Sequence, residues 1–385
     1  MKNAKKFEIY RTVFAVFIAL LLGYIIIFMT NFSKENTDFL IGLKNAFDKT
    51  NTAFRYFLTS PLIIERKGIP EFNIRGFIQW INESVPIIIT GIAVSVVFTA
   101  KQFNIGAEGQ LFIGAVAASF TAVYFPGIPV IHSVMVILTA ALSGAVWASV
   151  PAVMKSKLNA SELVTSLMMN YVAVFTGLFI IKTFLRDPSA GQLVSLPYAE
   201  TAGLWFLNSR FKWHIGIIIA IFMAILFWFI MKKTTWGYSV RVVGNNEKFA
   251  GYSGINTSKT IFNVQVVSGA IAGTAGIIEL MGYHGRFLWL NGPGYGWDGI
   301  IIATLAGNNP IFVPFAGLFL SYIRVGAKTM GRYTDTPPEI VSILQAVIIL
   351  LVTAEAFLAK IKEKSVIKEA GKFGKNIEKA GESNE

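Results

Sequence analysis

The chain has 385 residues, 54% of them hydrophobic and only 15% charged, with a formal net charge of +12. Soluble domains average about 45–50% apolar and about 25% charged residues, so this composition excludes an ordinary soluble domain and reads as an integral membrane protein. With no cysteine, disulfides and thiolate metal sites are excluded. The basic residues gather at the termini and in a few loops, which reads as positive-inside topology and attraction to anionic membrane lipid, not as nucleic-acid binding.

Lys2, Lys5, Lys6 and Arg11 precede an uncharged run from Thr12 to Ser33. That run is too long for a signal peptide and lacks a small-residue cleavage site. Residues 1–33 are therefore read as a tail and a first transmembrane helix, with the N-terminus inside. Residues 34–83 mix both charge signs and place Phe47, Phe54, Phe57 and Leu58 on one helical face. They read as an extracytoplasmic stretch, either an amphipathic interfacial segment or a solvated loop.

Ser84–Ala100 forms the second span, with Pro86 near its start and Lys101 at its inner end. The third and fourth spans, about 108–125 and 131–154, flank the turn Pro126-Gly127-Ile128-Pro129. Lys155 and Lys157 bring the chain back inside. Asn159 or Ser161 caps the fifth span, Leu163–Ile181, with Glu162 in its first turn. An external loop over 182–212 leads to the sixth span, Trp213–Met231, closed by Lys232 and Lys233.

The loop 232–259 is the one sizeable inner loop, and Thr260–Ile278 is the seventh span. A glycine-rich break at Gly292–Gly296 precedes Trp297 and Asp298. Gly299–Ile323 holds a short helix, a second break at Gly307–Pro310 and a ninth span. Ile340–Ala359 is the tenth span, and 360–385 is a charged cytoplasmic tail. The expected fold is thus all-α and membrane-integral, with about ten transmembrane helices, some broken or short, and both termini cytoplasmic. Residues 84–359 form its core. If 297–306 is re-entrant, the last segments invert.

A charged side chain near the bilayer centre costs roughly 2.5–3.5 kcal/mol on insertion scales. Glu108, in a helix break with Asn104, Gly106 and Gln110, is therefore the first candidate: a polar lining or gate, or a cap for freed backbone groups. Glu162 and Asn170 share a face of one helix and form the second candidate, as path lining or interhelical glue. Asp298 is the third. A half-helix starting there would aim its positive end at a path, although a plain helix cap explains the residue as well. The fourth is Gly237–Asn256, an amphipathic inner stretch that is either a plain linker or, through Val243, Phe249 and Ala250, a docking surface for a soluble partner.

His132, His214 and His284 stand singly at helix ends or loops and read as solvated or interfacial, so no metal or cofactor is expected. No nucleophile triad, zinc-peptidase motif or phosphate loop is present, so an enzyme is not expected and any ATP hydrolysis would belong to another chain. Small-residue stretches open at Ser143-Gly144-Ala145 and Ser268-Gly269-Ala270, either for close packing or as the trace of duplicated halves.

Taken together, Phe103-Asn104-Ile105-Gly106-Ala107-Glu108-Gly109-Gln110, Ser161-Glu162-Leu163 with Met169-Asn170-Tyr171, Gly237–Ile255 and Gly296-Trp297-Asp298-Gly299-Ile300 resemble a permease subunit of an ATP-binding-cassette importer. The likeness is to the nucleoside and simple-sugar branch of the branched-chain amino acid and ribose permeases, with Trp297 in place of the commoner Phe. The resemblance implies a bacterial plasma-membrane protein whose ten helices surround a translocation path shared with a second, related permease. It also implies two copies of a cassette ATPase on the coupling loops and a lipoprotein or periplasmic protein delivering solute. Arg241, Gly244, Glu247, Ala250 and Gly254 would then lie at the ATPase contact.

Nucleosides are the expected cargo, with ribose or another sugar as the alternative. An ion-driven transporter fits less well, because the acids sit at breaks and span ends. Glu108 is read as structural, so Glu108→Gln should leave uptake largely intact and Gly106→Leu should abolish it.

Overall fold

The computed structural model describes residues 18, 20–33, 39–66, 69–334, 343, 346 and 347. The chain divides into two units, residues 1–57 with 327–385, and residues 58–326. The tenth span and the charged tail fall almost wholly outside the described residues, as does the basic N-terminus.

In the first unit, helix α1 (Leu20–Ser33) packs with α2 (Phe39–Thr59). Small residues at helical spacing, Gly42, Ala46, Thr50 and Ala53, make the buried stripe of α2, with Phe57 at its end. Asn31 Nδ2 donates to Thr50 Oγ1 at 3.0 Å, and Tyr24 OH donates to Asn51 Oδ1 at 2.7 Å. The expected aromatic face is only partly used, because Phe47 and Leu58 remain exposed. Small side chains let α1 and α2 approach, while Phe47 is left outside.

The second unit begins with a hairpin, β1 (Ile63–Arg66) against β2 (Ile69–Phe72), antiparallel with Ile63 opposite Phe72. Helix α3 (Ile74–Thr99) starts well before the expected Ser84. Asn73 explains that start: its Oδ1 accepts from Gly76 N at 3.0 Å and its Nδ2 donates to Ser60 O at 2.7 Å. The uncharged part of α3 is buried on every side from Ser84 to Val97. Along it lies α10 (Thr257–Glu279), and α4 (Ala107–Tyr124) and α5 (Ile131–Leu158) pack in turn against α10.

The two small-residue stretches are the two sides of one helix crossing. A Cβ on Gly144 would lie 2.3 Å from Gly269 O, and one on Gly114 would lie 2.5 Å from Gly273 O. With no hydrophobic drive between helices in lipid, such backbone-to-backbone contact is what binds them. Helices α6 (Glu162–Ile180), which runs on through a wider turn to Leu185, and α7 (Gly216–Lys233) flank this core. They leave Phe175, Phe179, Phe222 and Phe229 exposed, as lipid-facing helices do. Asn159 ends α5 in a left-handed turn, and Ser161 holds the α6 N-cap position without a side-chain hydrogen bond.

Among the described residues five helices are long and apolar enough to cross a membrane: α3, α5, α6 with its extension, α7, and α10 with its extension to His284. Helix α11 (Tyr295–Leu305) has 11 residues. It rises about 16 Å, roughly half of the hydrocarbon thickness. The short helix expected between the seventh and ninth spans is thus a half-helix entered by an irregular, non-helical run over 285–294. Helix α12 (Val313–Tyr333) follows.

One end of this unit gathers the lysines that close α5 and α7, with Ser258 at the start of α10 donating to Ser156 O at 3.3 Å. The inner loop lies here as α8 (Thr235–Asn245) and α9 (Glu247–Tyr252). At the other end, residues 186–215 form a strap that includes a short hairpin, β3 (Phe206–Asn208) with β4 (Trp213–His214). Ser195 N donates to Phe287 O, Tyr198 N to Gly285 O and Ala199 N to Ala122 O, at 2.8–2.9 Å. Arg286 Nη1 lies 3.2 Å from Asp187 Oδ2, and hydrogen bonds from Ser189, with Arg286 beside it, hold the Asp187 carboxyl below its usual range.

Candidate functional site

The stretch 102–110 joins α3 to α4, and its polar side chains close on one another. Asn104 Nδ2 donates to Gln110 Oε1 at 3.0 Å, and Gln110 Nε2 donates back to Asn104 Oδ1 at 3.1 Å. Asn104 Nδ2 also reaches Ser268 Oγ at 2.8 Å, and that hydroxyl donates to Ala93 O. Asn170, from α6, clamps the break: its Oδ1 accepts from Gly109 N and its Nδ2 donates to Ile105 O, both at 2.9 Å. All three amides are buried. Gly109 N and Ile105 O, freed by the interruption, are thereby satisfied within the protein. A Cβ on Gly106 would sit 3.1 Å from Ser166 Cβ and 3.3 Å from Asn104 Oδ1, which leaves no room for a leucine.

Glu108 stands in the first turn of α4, yet its carboxylate serves a different helix. Oε1 accepts from Gly294 N and Oε2 from Gly296 N, each at 2.6 Å. Both oxygens therefore satisfy N–H groups at the start of α11, where the helix dipole also favours a negative charge. The approach depends on glycine. A Cβ on Gly296 would lie 2.3 Å from Glu108 N, and one on Gly292 would lie 2.5 Å from Glu108 Oε1. Gly294, between them, has φ +88°, a left-handed conformation that glycine adopts freely.

Asp298 lies in the first turn of α11, and the structure corrects the reading of it as that helix's cap. The start of α11 is capped by Glu108, and Asp298 instead pairs with Arg324 of α12. Nη1 lies 2.6 Å from Oδ2, and Nη2 donates to Oδ1 at 2.7 Å, a two-pronged bond. Tyr295 OH donates to Glu279 Oε1 at 2.7 Å, and Thr90 Oγ1 lies 2.8 Å from Tyr295 O. The half-helix is thus held by α3, α4, α10 and α12. Arg324 and Glu279 were missed from sequence, although an arginine adjoining an apolar span is a signal in itself.

The fold therefore brings together Asn104, Gly106, Glu108, Gln110 and Asn170, with Asp298 on the helix that Glu108 caps. Glu162 does not join them; it pairs with Lys155 at 2.8 Å where α5 turns into α6.

In the inner loop the docking surface also needs correcting. Val243 and Ala250 are buried and pack with Ile261, so they hold the loop to the protein and face no partner. Gly244 presses on the end of α3, where a Cβ would lie 2.1 Å from Thr99 O. What faces outward is Tyr238, Phe249 and Tyr252, the last 93% exposed. Glu247 is exposed as well, Arg241 is half-buried, and Gly254 turns with φ +81° in open space.

Two of the three histidines are not solvated. His132 is buried, with Nδ1 2.8 Å from Thr201 Oγ1 and Nε2 2.9 Å from Thr121 O, so it pins the 186–215 strap to α4. His214 is 1% exposed and fits between Gly216 and Gly282, whose missing side chains leave room for the ring. Burial pulls its pKa from 6.5 down to about 4. Because the folded value lies below the unfolded one, the unfolded chain takes up the proton first as pH falls. This contribution is complete above pH 6.5 and declines below it, and the stability lost amounts to roughly 3 kcal/mol once pH reaches 4. His214→Gln, which does not titrate, is expected to flatten the fall of the melting temperature in detergent between pH 6.5 and 4; equal slopes in both proteins would exclude His214 as the source.

Comparison with known proteins agrees with this architecture. A guanosine transporter permease, NupP of Bacillus subtilis, is 33% identical over 304 residues, covering 76% of this chain and 87% of its own. A nucleoside transporter permease of Lactococcus lactis, NupB, is 32% identical over 72% of this chain and 80% of its own. A glucose transporter permease of Haloferax volcanii, TsgB13, is 32% identical over 73% and 77%. No solved structure matches. Residues 76–353 match the family model described as the permease component of branched-chain amino acid transport systems, and with most of its length so matched the chain belongs to that family of multi-pass membrane permeases.

Proposed function

We propose that this protein is the membrane-spanning, non-catalytic subunit of an ATP-driven importer of nucleosides. The observation that carries the proposal is the similarity, over more than two thirds of the chain, to permeases named for guanosine and for nucleosides. The glucose permease relative supports a sugar as the second reading. Hydrolysis would belong to separate ATPase subunits docked on α8 and α9, against Tyr238, Phe249, Tyr252 and Glu247. A binding lipoprotein or periplasmic protein would deliver solute, and a second permease would complete the path.

The geometry supports a route for coupling. Movement of α8 bears through Gly244 on Thr99 at the end of α3. The next residues form the clamped break, and Glu108 carries its displacement to the start of α11. Alternating access requires ATP and the loaded binding protein to favour the same outward state.

Proteoliposomes holding this chain with its ATPase, permease partner and binding protein test the reading. Labelled guanosine or uridine should accumulate only when ATP is enclosed with the ATPase, and ribose or glucose should compete poorly. Uptake driven by an ion gradient without any ATPase would refute the importer, and preferential uptake of glucose would move the cargo to sugars.

A further inference from the structure

Near the inner ends of α7 and α10 lies a groove of about 430 Å³ lined by Phe227 and Ile230 of α7, Trp236 of α8, and Asn263, Val266 and Val267 of α10. Five of its six lining residues are apolar. Asn263 is half-buried there, and its amide takes part in no side-chain hydrogen bond found among the described residues. Helical register orders the groove along the membrane normal. Val266 and Val267 lie one turn deeper on α10 than Asn263, and Lys259 lies one turn nearer the inner end on the same stripe. On α7, Lys233 follows Ile230 by three residues on an adjoining face.

Lys233 and Lys259 are both exposed, and neither belongs to an ion pair found among the described residues. The inner stretch 232–259 as a whole carries Lys232, Lys233, Arg241, Lys248 and Lys259 against one acid, Glu247.

We infer that this groove is a binding site for one anionic phospholipid of the inner leaflet. The acyl chain fills the apolar floor, where Phe227, Val266 and Val267 offer no polar group. The glycerol ester meets the Asn263 amide, which supplies the donor that an ester carbonyl lacks in hydrocarbon. The headgroup phosphate lies between Lys233 and Lys259, a charge complementarity that a zwitterionic lipid meets less well. Trp236, the second residue of α8, forms one wall, so a seated lipid braces the coupling helices against the bundle.

The full chain, purified in detergent and reconstituted in nanodiscs, can be tested by native mass spectrometry. Phosphatidylglycerol and phosphatidylcholine with identical acyl chains would be the probes. One phosphatidylglycerol per chain should persist at a collision energy that strips phosphatidylcholine. Lys233→Gln with Lys259→Gln should weaken its retention roughly 25-fold, at about fivefold per lysine. Val267→Trp, which fills the floor and leaves both charges in place, should displace the lipid by a different route. Equal retention of the two lipids, retention unchanged in both variants, or a second protein chain protecting Trp236 and Phe227 from labelling would each overturn the assignment.

Discussion

Gly296→Ala is expected to abolish uptake and to destabilise the protein, although it adds a single methyl group. The added carbon would lie 2.3 Å from the backbone nitrogen and 2.6 Å from the Cα of Glu108, neither of which can swing aside. The start of α11 must then retreat, and the two 2.6 Å bonds from Gly294 and Gly296 to the carboxylate stretch together. Bonds to a charged acceptor are worth about 1.5–3 kcal/mol each, and a buried carboxylate left without donors costs more. A loss of roughly 3–5 kcal/mol follows, read as a fall in melting temperature together with loss of transport in proteoliposomes.

Gly191→Ala is the control, since nothing lies within 4 Å of a Cβ there. Wild-type uptake by Gly296→Ala would show that Glu108 does not position the half-helix. The same geometry revises the expectation for Glu108→Gln. A neutral amide offers one oxygen where the carboxylate uses two, so one N–H of α11 loses its partner and the substitution should be costly, not silent. Gly106→Leu remains expected to abolish uptake, for lack of space against Ser166 and Asn104.

The second large effect concerns Arg324. Its guanidinium grips Asp298 through two short bonds, and Asp298 is only 3% exposed. Removing one partner from a buried pair costs about 3–5 kcal/mol, because the remaining charge is left without compensation, whereas replacing both can be close to neutral. Arg324→Met is therefore expected to lower the melting temperature and uptake sharply. Asp298→Asn combined with Arg324→Met should recover part of both. The double variant is the informative one. Strictly additive losses would mean that the pair is not coupled, and that α12 is held to α11 by other contacts.

Sequence by itself settled the kind of protein and most of its helices. Uncharged runs long enough for hydrocarbon located α5, α6, α7 and α10 within a few residues, because lipid forbids unpaired backbone and so makes length and polarity sufficient signals. The glycines and amides of 102–110 announced a break, and the small residues at 144 and 269 announced close packing, since both are properties of single side chains. Where the signal depends on partners far along the chain, reading from sequence stopped.

Nothing local links Glu108 to Gly294 and Gly296, which stand 186 and 188 residues away. Nor does anything local link Asp298 to Arg324, or send Val243 and Ala250 inward. A polar residue in an apolar chain must find a partner, and composition can state that need without naming who meets it. The tertiary structure named the partners: Glu108 is the seat of a half-helix, and the carboxylate that looked like a gate has both oxygens already taken.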